Sequence, residues 1–180
     1  AEAHTHSFAF GGLTRAWEIE PDVLTIGKGL GAGLPFGLYG ITEPLARLIE
    51  DQSMPPSPAS PGGVGGAIGG TTYGSALIQA AARAALEQCL TPDDYDRVEG
   101  LGRKLSAGLE AIFERRGLPW CSPQIGGRAT WQLGPDLPRN VEQARALMEF
   151  FFINTRRVFM ANRGIWEAID TAGPACSFSH

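Results

Sequence analysis

The stretch "TIGKGLGAGLPFG", from Thr25 to Gly37, constrains this chain more than any other. An apolar run, "DVLTI", leads into a lysine set among Gly27, Gly29, Gly31, Gly33 and Gly37. Val23, Leu24 and Ile26, with Thr25 between them, predict a short buried strand entered through a turn at Pro21-Asp22. A glycine-rich turn follows, and "GLYGI" predicts a second short strand after it. The chain must therefore be a mixed α and β structure that delivers a cation to the end of a strand, where backbone can be approached closely.

The rest of the chain supports that frame. "TEPLARLIEDQ" predicts a helix that Thr42 caps, with Pro44 in its first turn and an apolar stripe of Leu45, Leu48 and Ile49. From Ser53 to Gly70 the composition shifts to Pro, Ser and Gly, a long loop of the kind that serves function more often than connection. "SALIQAAARAALEQCL" predicts an alanine-rich helix capped by Ser75. Thr91-Pro92-Asp93-Asp94 opens another, which carries Val98, Leu101, Leu105, Leu109, Ile112 and Phe113 at helical spacing and stops at Gly117. "WCSPQI" and "RATWQL", joined by Gly126-Gly127, predict a hairpin. "NVEQARALMEFFFINTR" predicts a helix capped by Asn140, and "RVFMA" and "ACSFS" predict closing strands. This order divides the chain into a first layer over residues 1–92 and, over 93–180, a connecting helix with a smaller α+β unit.

Several function classes are excluded early. A net charge of −4 over 180 residues lacks the basic footprint of a nucleic-acid partner. No apolar run approaches the roughly 20 residues that cross a bilayer, so no membrane partner is expected. With 43% apolar residues the chain has enough material for a core. Cys89, Cys121 and Cys176 are odd in number and lack metal spacing, which fits free thiols in a reducing cytoplasm. The opening on Ala1 and the strand-like ending "ACSFSH" predict a fragment of a longer enzyme.

The plain reading of Lys28 is a solvated turn residue. Two phosphate-binding readings fail on spacing. A P-loop needs Ser or Thr after the lysine, but Gly29 follows it, and Asp22 stands where the first glycine belongs. A GxGxxG fingerprint counted from Gly29 ends on Leu34. The remaining chemistry is nucleophilic. An amine condenses with an aldehyde only when unprotonated, and free lysine titrates near about 10.4. Partial desolvation at the end of an apolar strand favours the neutral amine. The neighbouring glycines let a flat ligand approach and leave the side chain room to swing. The arrangement suits a Schiff base.

On these residues the chain resembles the class III pyridoxal-phosphate-dependent aminotransferases, nearest the glutamate-1-semialdehyde aminomutase-like branch. "EPDVLTIGKGLGAGLPFGLYG" resembles the lysine segment of that family. "AEAHTHSFAFGGLTRAWEIEPD" resembles the stretch leading to it, "GGTTYGSALIQAAARAALE" the phosphate-threonine turn and the following helix, and "FFFINTRRVFMANRG" a helix-to-strand passage of the small domain. The resemblance implies an α/β fold type I transferase. Within it, residues 1–92 are the C-terminal portion of the large-domain sheet, and the remainder is most of the small α+β domain. It also implies pyridoxal 5'-phosphate as cofactor, held by Lys28 as a Schiff base, with the same lysine as acid/base for the proton shift of transamination. Thr71 is implied to reach the cofactor phosphate, in this family typically across a dimer interface, and Ala3 to pack on the pyridine ring. The implied activity is transfer of an amino group between an amino acid and a keto acid or aldehyde, in a cytoplasmic homodimer with a shared active site. An aminomutase or epimerase of the same family uses the same lysine and is the alternative. A catalytically incompetent truncated homologue that only dimerises is the alternative outside the enzyme class.

One position departs from the family. Ala1 stands where the family has the aspartate that bonds the pyridinium nitrogen, and Glu2 would point to the opposite side of an extended segment. Other candidates have plainer readings. Thr71 alone reads as a cap or turn threonine. His4 and His6 form an HxH pair without a third ligand nearby, so no metal site is expected. Trp17, Trp120, Trp131 and Trp166 read as packing or interface residues. Arg163 is placed either near a substrate carboxylate or in a structural turn.

Overall fold

The structure, a computed structural model, describes residues 7–51, 73–147, 150–166 and 176–179. Contacts divide the chain into two compact units, Ala1–Thr91 and Pro92–His180. In the first, a short helix α1 (Gly12–Ala16) leads to strand β1 (Val23–Gly27). A 3-10 turn at Lys28–Gly31 follows, then strand β2 (Gly37–Ile41) and helices α2 (Glu43–Asp51) and α3 (Ala76–Gln88). β1 and β2 pair antiparallel in the register Val23↔Ile41 to Gly27↔Gly37, which sets the lysine turn at one end of a two-stranded ribbon. β1 is half-buried rather than fully buried and β2 is mostly exposed, because two strands present most of their side chains to solvent unless a layer covers each face.

The helices of this unit begin where expected but not by the expected contacts. The Thr42 carbonyl accepts from the Ala46 amide at 2.9 Å, yet its hydroxyl is buried without a partner. An N-cap hydroxyl accepts from the second or third helical amide, and the second residue here is Pro44, which has none. Ser75 likewise stands at the head of α3 with its carbonyl accepting from Gln79 at 3.0 Å and no side-chain cap.

The second unit is built on helix α4 (Pro92–Arg116). Its termini follow the sequence signals closely. Pro92 needs no amide partner at the first position, Asp93 and Asp94 face the positive end of the helix dipole, and Arg115 and Arg116 face the negative end. Gly117 takes φ +63°, and the Leu118 amide returns to the Phe113 carbonyl at 2.9 Å, a left-handed stop that glycine makes cheaply. β3 (Gln124–Ile125) and β4 (Arg128–Ala129) form the expected hairpin around Gly126-Gly127, extended by pairing of Cys121 with Gln132.

The hairpin lies so close to α4 that a Cβ at Gly102 would overlap the Gly126 carbonyl oxygen. One at Gly127 would come within 2.5 Å of the Val98 Cγ1. Ser122 ties the two together. Its amide donates to the Glu110 carboxylate, its carbonyl accepts from the Ser106 hydroxyl at 2.6 Å, and its own hydroxyl donates to the Thr130 carbonyl at 2.7 Å. The core of this unit holds Tyr95, Val98, Phe113 and Ala129, with Phe113 edge-on to Trp120.

The end of the chain corrects the sequence reading. The one helix expected over "NVEQARALMEFFFINTR" is two, and the first, α5 (Val141–Ala146), is capped as expected, the Asn140 Oδ1 accepting from the Gln143 amide at 2.9 Å. "RVFMA" is not a strand but the last turns of α6 (Phe150–Ala161), and Gly164 in the turn that follows takes φ +80°. Five residues of mixed polarity fit a helical period as well as a strand period, and no breaker separates them from the helix before. Residues 176–179 of "ACSFS" form a turn rather than a strand. There the Cys176 amide donates to the Gly127 carbonyl at 2.8 Å, and the Phe178 ring stands edge-on to Tyr95. No helix among the described residues is long and apolar enough to cross a membrane.

Candidate functional site

Lys28 occupies the junction between β1 and the 3-10 turn. Its backbone is left-handed, with φ +58°, and Ala32 at the other end of the turn is left-handed too, with φ +50°. For residues that carry a Cβ this conformation costs roughly 1–2 kcal/mol each. Such costs persist where the surroundings over-determine the backbone, and they concentrate at functional positions. Among the described residues Glu18 is the other non-glycine with positive φ.

The turn is held from within and from behind. The Ala32 amide donates to the Gly29 carbonyl at 3.0 Å, and the Leu34 amide to the Gly31 carbonyl at 2.9 Å. Gly31 is folded against Phe36 so tightly that a Cβ on it would lie 2.6 Å from the Phe36 Cβ. Helix α3, whose buried face is Ala82 and Ala85, packs against the turn, whose buried residues are Leu30 and Gly31. A Cβ at Gly29 or Gly33 would meet nothing within 4 Å among the described residues.

The Lys28 side chain is exposed. Among the described residues no carboxylate pairs with it and no side chain bonds its amine. The partial desolvation expected from the sequence is therefore not supplied by the described residues. Among the described residues, β1 and α3 are the elements that pack on the turn, and neither covers the lysine side chain. What the turn does provide is an exposed amine, unpaired among the described residues, on a glycine-flanked backbone. A flat aldehyde with an anionic group needs that access, so the residues present fit pyridoxal phosphate on the side that carries the lysine.

The other expected site residues, Ala3 and Thr71, lie outside the described residues, as do Ala1, His4, His6 and the loop from Ser53 to Gly70. No group of His, Cys, Asp and Glu that could hold a metal occurs among the described residues. Arg163 is engaged at its own helix end. Its guanidinium donates to the Phe159 carbonyl at 3.2 Å and lies 3.5 Å from the centre of the Phe159 ring. Trp131 packs under Arg156, and Trp120 against Phe113, while Trp166 is exposed. Sequence reasoning missed Leu30 and Ala32 as parts of the turn. The available signal was that Leu30, Ala32 and Lys28 are the positions in "GKGLGAG" that are not glycine.

No family model matches the chain. Among curated proteins it is similar to a glutamate-1-semialdehyde 2,1-aminomutase of Thermus thermophilus, 35% identical over 123 residues, 68% of this chain and 26% of the relative. The chain thus spans about a quarter of the length of the curated relatives it matches. Among solved structures it is similar to a glutamate-1-semialdehyde aminomutase from Pseudomonas aeruginosa PAO1 in complex with PMP, with a TM-score of 0.84 and 26% identity over 99% of this chain and 39% of that one. An omega-transaminase from Sphaerobacter thermophilus shares the fold, with a TM-score of 0.77 and 21% identity over 99% of this chain and 39% of that one.

Proposed function

This chain has the class III pyridoxal-phosphate-dependent aminotransferase-like fold as a partial chain, and on that premise we propose that it carries the cofactor lysine of an amino-group-transferring enzyme. The observation that carries the reading is Lys28 itself: an exposed amine, unpaired among the described residues, on a left-handed backbone between glycines. Pyridoxal phosphate, when bound, supplies an electron sink for the charge left on a substrate carbon that loses a proton.

The chain's own residues do the rest. Lys28 would hold the cofactor's aldehyde through its Nζ, and the same amine would serve as the acid/base for the 1,3-proton shift of amino-group transfer. Gly29 and Gly33 put no side chain beside the turn that carries the amine. Leu30 and α3 fix the turn from behind. By resemblance Thr71 serves the cofactor phosphate and Ala3 the ring face.

The substrates are small amino acids and their keto or aldehyde counterparts. Between the two chemistries of the branch, the aminomutase reading is favoured by curated relatives at 35% and 37% identity, both named glutamate-1-semialdehyde 2,1-aminomutase. The enzyme works as a cytoplasmic homodimer in this reading. Support for an oligomer comes from the apolar side chains exposed on the first unit, Trp17, Tyr73, Leu77 and Leu86 among them.

An absorbance scan of the protein incubated with pyridoxal phosphate tests the proposal. A near-visible band that borohydride bleaches, and that Lys28→Ala abolishes, is the expected result. A colourless protein, or a band that survives Lys28→Ala, overturns it.

A further inference from the structure

We propose that Leu30 is a positioning residue for Lys28: buried beneath the turn, it forces the lysine backbone into the left-handed conformation that presents the amine. The inference rests on the reading of Lys28 as the cofactor lysine. Its starting point is a mismatch between residue type and conformation. Gly29 and Gly31 could adopt positive φ without cost, yet neither does, while Lys28 and Ala32 carry side chains and do, at +58° and +50°. Strain on the residues least suited to it, beside residues that would bear it freely, means that an outside constraint selects the backbone path.

Leu30 is the constraint. Only 5% of its surface is exposed, and it lies in the segment that helix α3 packs against. Leu30 and Gly31, the buried residues of the segment that α3 packs against, follow the left-handed Lys28 by two and three residues. Gly31 holds the other end of the turn, where a Cβ would lie 2.6 Å from the Phe36 Cβ. A left-handed Lys28 breaks the in-and-out alternation of β1, so its side chain is aimed by the turn rather than by the strand. If Leu30 loses its hold, Lys28 relaxes to an ordinary conformation and the amine loses its fixed direction.

The chain's other lysine, Lys104, lies exposed on α4 and serves as an internal reference. The protein is treated with limiting pyridoxal phosphate, fixed with borohydride, digested, and the ratio of pyridoxyl label at Lys28 to that at Lys104 is read by mass spectrometry. Wild type is expected to favour Lys28 strongly. Leu30→Ala is expected to lower the ratio about ten-fold, and Leu30→Met, which keeps the volume, to restore most of it. Phe113→Ala destabilises the other unit and is expected to leave the ratio unchanged, a result that a general loss of stability does not produce. Each sample is checked by circular dichroism. If Leu30→Ala fails to fold, Leu30→Val is expected to lower the ratio in a folded protein. A high ratio in wild type that Leu30→Ala or the folded Leu30→Val leaves intact overturns the positioning role. A ratio near unity in wild type instead overturns the assignment of Lys28 itself.

Discussion

The two units solve the problem of burial differently. The second buries Tyr95, Val98 and Phe113, closes its hairpin onto α4 through Gly102 and Gly127, and satisfies Ser122 within itself. Among the described residues the first buries Leu30, Ala82 and Ala85 as its apolar core, and leaves Tyr73 70% and Leu77 69% exposed. The left-handed lysine turn belongs to the unit that, among the described residues, buries the smaller apolar side chains. A packed core restrains its parts in one arrangement, whereas a thin ribbon keeps an edge accessible to a ligand or another surface. Here the turn is held by its own backbone hydrogen bonds, the close approach of Gly31 to Phe36 and the packing of α3.

The sharpest way to break this comparison is to remove one apolar side chain from each unit. Phe113→Ala should destabilise the second unit by about 4 kcal/mol, measured by urea unfolding followed through tryptophan fluorescence. Leu77→Ala should change stability by no more than about 0.5 kcal/mol. Similar losses at both positions would mean that Leu77 is buried against something outside the first unit.

A smaller effect separates strain from space within the lysine turn. Gly29 and Gly33 both face open space, but Gly33 has φ +91° and Gly29 does not lie in the left-handed region. Gly33→Ala should cost about 1 kcal/mol, while Gly29→Ala should be neutral or stabilising by about 0.5 kcal/mol through a less flexible unfolded chain. Equal effects, read as shifts in thermal midpoint, would remove backbone conformation as the organising feature of the turn.

The smallest expected effect is a pH dependence confined to the second unit. Burial pushes the Tyr95 phenol above its ordinary value of 10.0. The folded state therefore holds that proton more tightly than the unfolded state. Its contribution is complete below about pH 10 and is lost as pH rises through the folded value. Tyr95→Phe should flatten the alkaline fall in stability, seen as a smaller difference between urea midpoints at neutral and alkaline pH. An unchanged slope would mean that another group governs it. The Cys121 thiol is raised as well, by burial first and then by the Glu110 and Asp136 carboxylates, so exposed Cys89 should alkylate before it.

Much of the architecture was legible in the sequence where the signal was local. Pro92, the two aspartates after it and Gly117 mark α4 to the residue, because each acts on backbone groups within one turn of itself. Gly126-Gly127 and Asn140 are legible for the same reason. "RVFMA" failed because five residues do not distinguish two periods once a helix runs into them. Thr42 and Ser75 stand at helix starts, but whether a hydroxyl turns to the amides depends on what surrounds it. The apolar stripe of α4 was correct as a stripe, yet Val98 and Phe113 are buried while Ile112 is exposed.

The order of residues by itself determined where α4 starts and stops, the turn at Gly126-Gly127, and that a lone lysine follows a strand among glycines. Only the tertiary structure decided that Lys28 and Ala32, rather than the glycines between them, take the left-handed backbone, and that Leu30 lies buried in the segment α3 packs against. The division follows from range. Backbone preference and hydrogen-bond supply act over a few residues and are written in the chain, whereas strain and burial arise when distant segments meet.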